Sequence, residues 1–207
     1  MNAAVNDRAW WIRLARPTAR LGLKGPDAPA VLQQAGIAIP THANGITRSP
    51  ASALAGLSRC LRLGATEFLL EQDEGVEAVQ SLRGRAQTAG LRAWPVIRAD
   101  FSALLGGTEV MMRLSRLGSF DFESWLAAEA RASIASRAST SSPASATACS
   151  VVMTLLADIS ITLVIESADP AAPQLRLWAD ASFATYLQQT LQFLSPSTPC
   201  PTPGVHA

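Results

Sequence analysis

The apolar residues of this chain fall into short runs whose period changes repeatedly between two and about 3.6 residues, the marks of strands and helices. Leu21 and Leu23 alternate with Arg20, Gly22 and Lys24, a strand pattern. Lys24-Gly25-Pro26-Asp27 interrupts it. Gly25 admits a tight turn, Pro26 suits the first helical position, and Asp27 there complements the helix dipole. The alanine-rich stretch that follows, to Leu32 and beyond, reads as a helix closed by Gly36. Residues 37–52, broken by Pro40, Asn44-Gly45 and Pro50, read as a long loop.

Further along, Leu57, Arg59, Leu61 and Leu63 are expected on one face of a strand, followed by a Gly64-Ala65-Thr66 turn and a second strand over Glu67-Phe68-Leu69-Leu70. Val76, Val79, Leu82 and Ala86 have helical spacing, and Gly90 ends that helix. Residues 91–105 are strand-rich, and Gly106-Gly107 opens a helix through Val110, Met111, Leu114 and Leu117. Residues 120–132 form an amphipathic helix with Phe122, Trp125 and Leu126 on one side. The Ala/Ser/Thr-rich residues 135–150 read as a flexible connection. Ile159, Ile161, Leu163 and Ile165 make a half-buried strand, with Val151 to Leu156 as its hairpin partner. After a short strand at Leu175 to Trp178, a last helix over 181–194 should turn Phe183, Tyr186, Leu187, Leu191 and Leu194 inward, capped by Asp180.

One internal echo stands out. Setting Gly107 on Gly25 also sets Leu105 on Leu23, Leu114 on Leu32 and Gly118 on Gly36, so strand, glycine turn, helix and closing glycine occur twice. The expected organisation is an N-terminal arm over 1–17, a domain over 18–194 with two lobes at 18–92 and 93–194, and a disordered proline-rich tail over 195–207. Within the arm, Trp10-Trp11-Ile12 is a large apolar cluster that must pack on the body or on a partner subunit.

Charge and chemistry narrow the picture. The net charge of +1 gives no electrostatic reason to expect nucleic acid, and 16% charged residues is low for a free monomer. Residues 63–82 hold five acidic groups (Glu67, Glu71, Asp73, Glu74, Glu77) and no basic one, which reads as a solvated face. Lys24 is the only lysine among seventeen basic residues; it is read as a turn lysine rather than a site lysine. Cys60, Cys149 and Cys200 match neither a disulfide framework nor a zinc spacing, and the N-terminus lacks the apolar run of a signal peptide. The longest apolar stretch, Val151 to Ile165, is too short to span a membrane and contains Asp158. A cytoplasmic protein with no membrane or nucleic-acid partner is expected. With two histidines, His42 and His206, no nucleophile–base set is apparent, and Lys24-Gly25-Pro26-Asp27 is not a phosphate loop.

The order and spacing of LGLKGPDAPAVL, CLRLGATEFLL and LRLWADASFATYLQQTL carry a resemblance over roughly residues 14 to 194. The chain resembles the gamma subunit of heterotetrameric sarcosine oxidase and its N-methylglutamate dehydrogenase relative. The motif residues are Lys24, Gly25, Pro26 and Asp27, then Arg62, Gly64 and Glu67, then Asp180, Ser182 and Tyr186. The resemblance implies an α+β, folate-binding aminomethyltransferase-like domain, with two strand–glycine turn–helix units and an antiparallel sheet. It also implies a non-catalytic chain, with no catalytic, cofactor or metal residues of its own, beside alpha, beta and delta subunits. FAD, FMN, NAD, tetrahydrofolate and zinc would sit on those other subunits, and Trp10, Trp11 and Ile12 are the expected docking element. The alternatives are a free-standing folate-binding aminomethyltransferase or an iron–sulfur repair protein, although Pro26 stands where the repair proteins carry a cysteine.

Overall fold

The computed structural model describes residues 9–15, 18–48, 56–88, 90–138 and 149–194. Strands β1 (Trp11–Leu14) and β2 (Ala19–Lys24) precede helix α1 (Ala28–Gln34). Strands β3 (Gly45–Arg48), β4 (Leu57–Arg62) and β5 (Glu67–Gln72) lead into α2 (Glu77–Ala86). Then come β6 (Trp94–Arg98), β7 (Asp100–Gly106), α3 (Val110–Leu114) and α4 (Phe122–Ala138). The hairpin of β8 (Cys149–Leu156) and β9 (Ile159–Ser167), β10 (Gln174–Asp180), a 3-10 turn (Ala181–Phe183) and α5 (Ala184–Phe193) complete the chain.

The ten strands form one antiparallel sheet in the order β1-β7-β10-β9-β8-β3-β4-β5-β2-β6. Its two halves meet where Gly45 pairs with Ser150 and Ile46 with Cys149. Outward from that seam, β3-β4-β5-β2-β6 and β8-β9-β10-β7-β1 repeat one arrangement. The glycine echo marks corresponding turns. Gly25 has φ 124° and Gly107 φ 111°, a region that favours glycine. The Gly25 N–H donates to the Thr66 carbonyl (3.0 Å), just before β5, and the Gly107 N–H to the Pro173 carbonyl (3.3 Å), just before β10.

The pairing runs across the expected lobe division. β6 lies beyond residue 92 yet pairs with β2, whereas β1, within the expected arm, pairs with β7. Trp11 sits opposite Gly106 as Trp94 sits opposite Lys24, so the N-terminal segment supplies the second half with the strand that β6 supplies to the first. The arm is therefore not irregular over these four residues. A strand forms because β7 offers it an open edge.

Alternation along each strand sorts side chains into layers. In the first half, Leu21, Leu23, Cys60, Phe68 and Leu70 bury against α1 and α2 through Val31, Leu32, Val79 and Leu82. In the second, Leu105, Ile161, Leu163, Leu175 and Leu177 bury with Val110, Leu114, Phe122, Leu187 and Leu191. The opposite faces meet each other, where Ile46, Leu61 and Leu69 pack against Val151, Val164 and Trp178. The molecule is a double sheet with a helical layer on each outer side.

Several expectations are corrected by tertiary pairing. The long loop over 37–52 contains β3, which exists because both β4 and β8 pair with it. Leu57 does not share a face with Leu61, because a register shift between Leu57 and Arg59 turns it toward α1 and α2. Phe183 and Tyr186 are exposed rather than inward. α4 continues to Ala138, into the stretch read as a connection; residues 139–148 and the tail over 195–207 lie outside the described residues.

Candidate functional site

The polar side chains that could do chemistry gather on the inner faces, beside the Ile46–Trp178 apolar layer. Glu71 of β5 is fully buried, which corrects its reading as part of a solvated block. One carboxylate oxygen accepts from Thr18 Oγ1 (2.7 Å) and Trp178 Nε1 (3.3 Å) and lies 3.3 Å from Arg20 Nε. Its other oxygen accepts from Arg59 Nη1 (2.8 Å). Arg20 Nη1 also donates to Asp100 Oδ2 (2.7 Å), and the guanidinium lies 5.2 Å from the Trp178 ring centre. Asp100 Oδ1 accepts two further bonds from Arg98.

Glu166 of β9 is the second hub. It accepts from Arg48 Nη1 (2.6 Å) and Arg176 Nε (2.8 Å), and Arg59 Nη2 stands 3.1 Å away. Burial pushes the Glu166 carboxyl up, but Arg59, Arg48 and Arg176 outweigh it and hold the pKa below the usual 4.5. The Arg20 pKa is also lowered, but here burial is the cause and prevails over Glu71 and Asp100. The network ties β2, β4 and β5 of one half to β7, β9 and β10 of the other.

A depressed carboxyl pKa carries a pH dependence with a definite sign. Glu166 contributes its stability in full above the ordinary carboxyl range, and that contribution is lost as pH falls below 4.5 through the lowered value. Chemical unfolding between pH 6 and 3 should show a steep acid loss that Glu166→Gln makes shallower; identical slopes would remove Glu166 from the account.

An open cleft of about 440 Å³ borders this network, lined by Leu14, Thr18, Arg20, Arg98, Asp100 and Ser102 among others. Its polar groups serve one another: two arginines share Asp100, and Thr18 donates to Glu71. Arginine does not deprotonate at neutral pH, and the Glu166 carboxylate, held ionised, is engaged by Arg48, Arg59 and Arg176. The buried Ser102 hydroxyl has no hydrogen-bond partner among the described residues. Among these residues no group of three His, Cys, Asp or Glu could hold a metal ion. Burial raises the Cys60 thiol pKa to about 12, which makes it a packing residue. His42 is exposed beside the Ala43 carbonyl.

The motif residues lie elsewhere and in separate places. Lys24 forms an exposed ion pair with Glu67 (2.7 Å). Asp27 accepts from the Arg92 N–H (2.7 Å), and its hydrogen bonds from Arg92 lower its pKa against the opposing effect of burial. Arg62 donates to the carbonyls of Gly64, Pro40 and Thr41; Pro26 lies ahead of the Asp27 N-cap rather than at the first helical position expected for it, and Pro29 is the proline in the first turn of α1. Asp180 accepts from the Ser182 N–H and hydroxyl, and Tyr186 reaches the Ala157 carbonyl at 3.4 Å. Each closes a turn or caps a helix. Trp10 is buried in this chain's own second-half core, Ile12 packs against it, and Trp11 lies over Gly106.

Sequence reasoning missed the Arg20–Glu71–Glu166 network. Its signal was available in the strand period: Arg20 and Glu71 alternate with residues that face the helices, as Leu69 does on the inner face.

No family model matches the chain, and no curated protein matches it in sequence. Solved structures do. A chain of the heterotetrameric sarcosine oxidase from Corynebacterium sp. U-96 superposes with a TM-score of 0.62 at 19% identity, over 92% of this chain and 88% of that one. The likeness shows the fold. Aminomethyltransferase T of the glycine cleavage system from Bartonella henselae matches with a TM-score of 0.53 at 13% identity, over 90% of this chain but 46% of that one. The expected aminomethyltransferase-like architecture is thus shared with both. No helix among the described residues is long and apolar enough to cross a membrane.

Proposed function

We propose that this chain is a non-catalytic subunit of a sarcosine oxidase-type complex, the gamma subunit of a heterotetramer with alpha, beta and delta partners. The observation that carries the reading is the match in length and fold to one chain of such an assembly, over nearly all of both chains. The polar interior supports it. Its ionised groups pair with one another across the two halves and hold the double sheet together.

In this reading the complex demethylates sarcosine oxidatively to glycine and passes the one-carbon unit to tetrahydrofolate. FAD, FMN, NAD and zinc belong to the other subunits, in the cytoplasm. The alternative reading is a free-standing aminomethyltransferase, of whose solved relative this chain spans 46%. Purified alone, the chain should show no flavin absorbance and no sarcosine turnover. Co-expressed with flavin-bearing oxidase subunits, it should co-purify in a fixed ratio. Robust turnover by the lone chain, or no association with any oxidase subunit, overturns the proposal.

A further inference from the structure

The sheet ends at β6, and that edge is unlike the rest of the molecule. Alternate residues of a strand face opposite sides, yet Trp94, Val96 and Ile97 are 57%, 45% and 59% exposed. The pairing explains this. Trp94 and Val96 lie opposite Lys24 and Gly22, and Gly22 has no side chain to cover its neighbour. Ile97 lies opposite Leu21 on the other face, but Leu21 is fully buried while Ile97 remains open to solvent. Apolar surface is therefore open on both sides of a strand edge that is unpaired among the described residues. Edges of this kind accept a further strand, with one backbone donor fewer here because Pro95 lies in β6. The opposite edge, β1, has less: Ile12 packs against the core, Arg13 is exposed, and Leu14 alone of its apolar side chains is exposed.

Charge selects the occupant. The apolar stretch is bracketed by Arg92 and Arg98, whose side chains are 69% and 41% exposed. Arg98 shares Asp100 with Arg20, and the Arg92 ion pair with Asp27 is long at 3.5 Å, so both ends keep positive character. β6 itself has no acidic residue. A second copy would bring two more arginines to the same seam, with no further carboxylate from β6 to meet them. We propose that β6 is the docking edge for an extended apolar segment with carboxylates at its ends, contributed by a partner subunit. Trp94, Val96 and Ile97 supply the apolar contact, the strand edge supplies main-chain hydrogen bonds, and Arg92 and Arg98 fix the register. This rests on the reading of the chain as an oxidase subunit, and it places the main docking element at the far end of the sheet from Trp10-Trp11-Ile12.

The test uses the full chain co-expressed with the flavin-bearing oxidase subunits. Ile97→Lys and Val96→Lys should unfold as cooperatively as the parent, because both side chains are exposed, yet bind those subunits at least tenfold more weakly. Arg92→Glu should slow association several-fold and flatten its salt dependence, the behaviour of a rim charge. Failure of the unaltered chain to assemble removes both the subunit reading and this one. Normal assembly of Ile97→Lys and Val96→Lys leaves the subunit reading standing and overturns the docking edge. A homodimer of the lone chain that Ile97→Lys converts to monomer makes the occupant a second copy and also overturns it.

Discussion

Replacing Glu71 by alanine is expected to destabilise the fold by about 3–5 kcal/mol, the scale for removing one partner from a buried ion pair. Glu71 is fully buried and answers Arg20 and Arg59 from its two oxygens, with Thr18 and Trp178 completing its hydrogen bonds. Without it, Arg20 retains Asp100, and Arg59 retains Asp73 and Glu166. Both arginines are largely withdrawn from water, with side chains 2% and 10% exposed. The cost is therefore positive charge left under-compensated in the interior as much as a lost contact. Glu67→Ala provides the comparison, since its partner Lys24 is half exposed and surface pairs contribute about 0–1 kcal/mol. Urea unfolding of the two variants should separate their midpoints widely. Equal midpoints would mean that the inner network adds nothing to stability.

That contrast also shows what the chain's pattern revealed and what it hid. Glu67 and Glu71 stand in the same acidic run, and charge density gives both the same solvated reading. Their difference arises from the other half of the sheet, which covers β5 at Glu71 with Trp178 and Arg176 and leaves Glu67 at the rim. Local chemistry was legible: a strand, Gly25, Pro26 and an alanine-rich helix follow from the backbone preferences of neighbouring residues. The correspondence of Gly107 with Gly25 was legible for the same reason. β3 was not, because Gly45 to Arg48 is too short to show a period and owes its strand to β4 and β8. Nor could the pattern show that Trp11 completes the second half beside Gly106, since that pairing reaches across the whole first lobe in sequence.

Gly25→Val should be among the most damaging single changes outside the buried network. Gly25 has φ +124°, a conformation that costs a residue with a Cβ about 1–3 kcal/mol. A Cβ there would also lie 2.2 Å from the Arg92 carbonyl oxygen and 2.8 Å from the Trp94 ring. The carbonyl has little freedom to withdraw. It accepts from the Asp27 N–H (3.3 Å), while the Arg92 N–H donates to the Asp27 carboxylate (2.7 Å). Relief would therefore require the start of β6 to move away from β2, adding an overpacking cost of about 1–3 kcal/mol. Gly84→Ala is the matched control, lying inside α2 with nothing within 4 Å of its added Cβ. There the change should stabilise the chain by about 0.5–1 kcal/mol through helix propensity. Lys24→Ala, beside Gly25 but with an exposed side chain, should move stability by less than about 1 kcal/mol. Thermal unfolding of the three variants should therefore rank Gly84→Ala above the parent, Lys24→Ala near it and Gly25→Val far below. A Gly25→Val chain as stable as the parent would show that this turn relaxes freely, and that the backbone conformation of Gly25 does not hold β6 against β2.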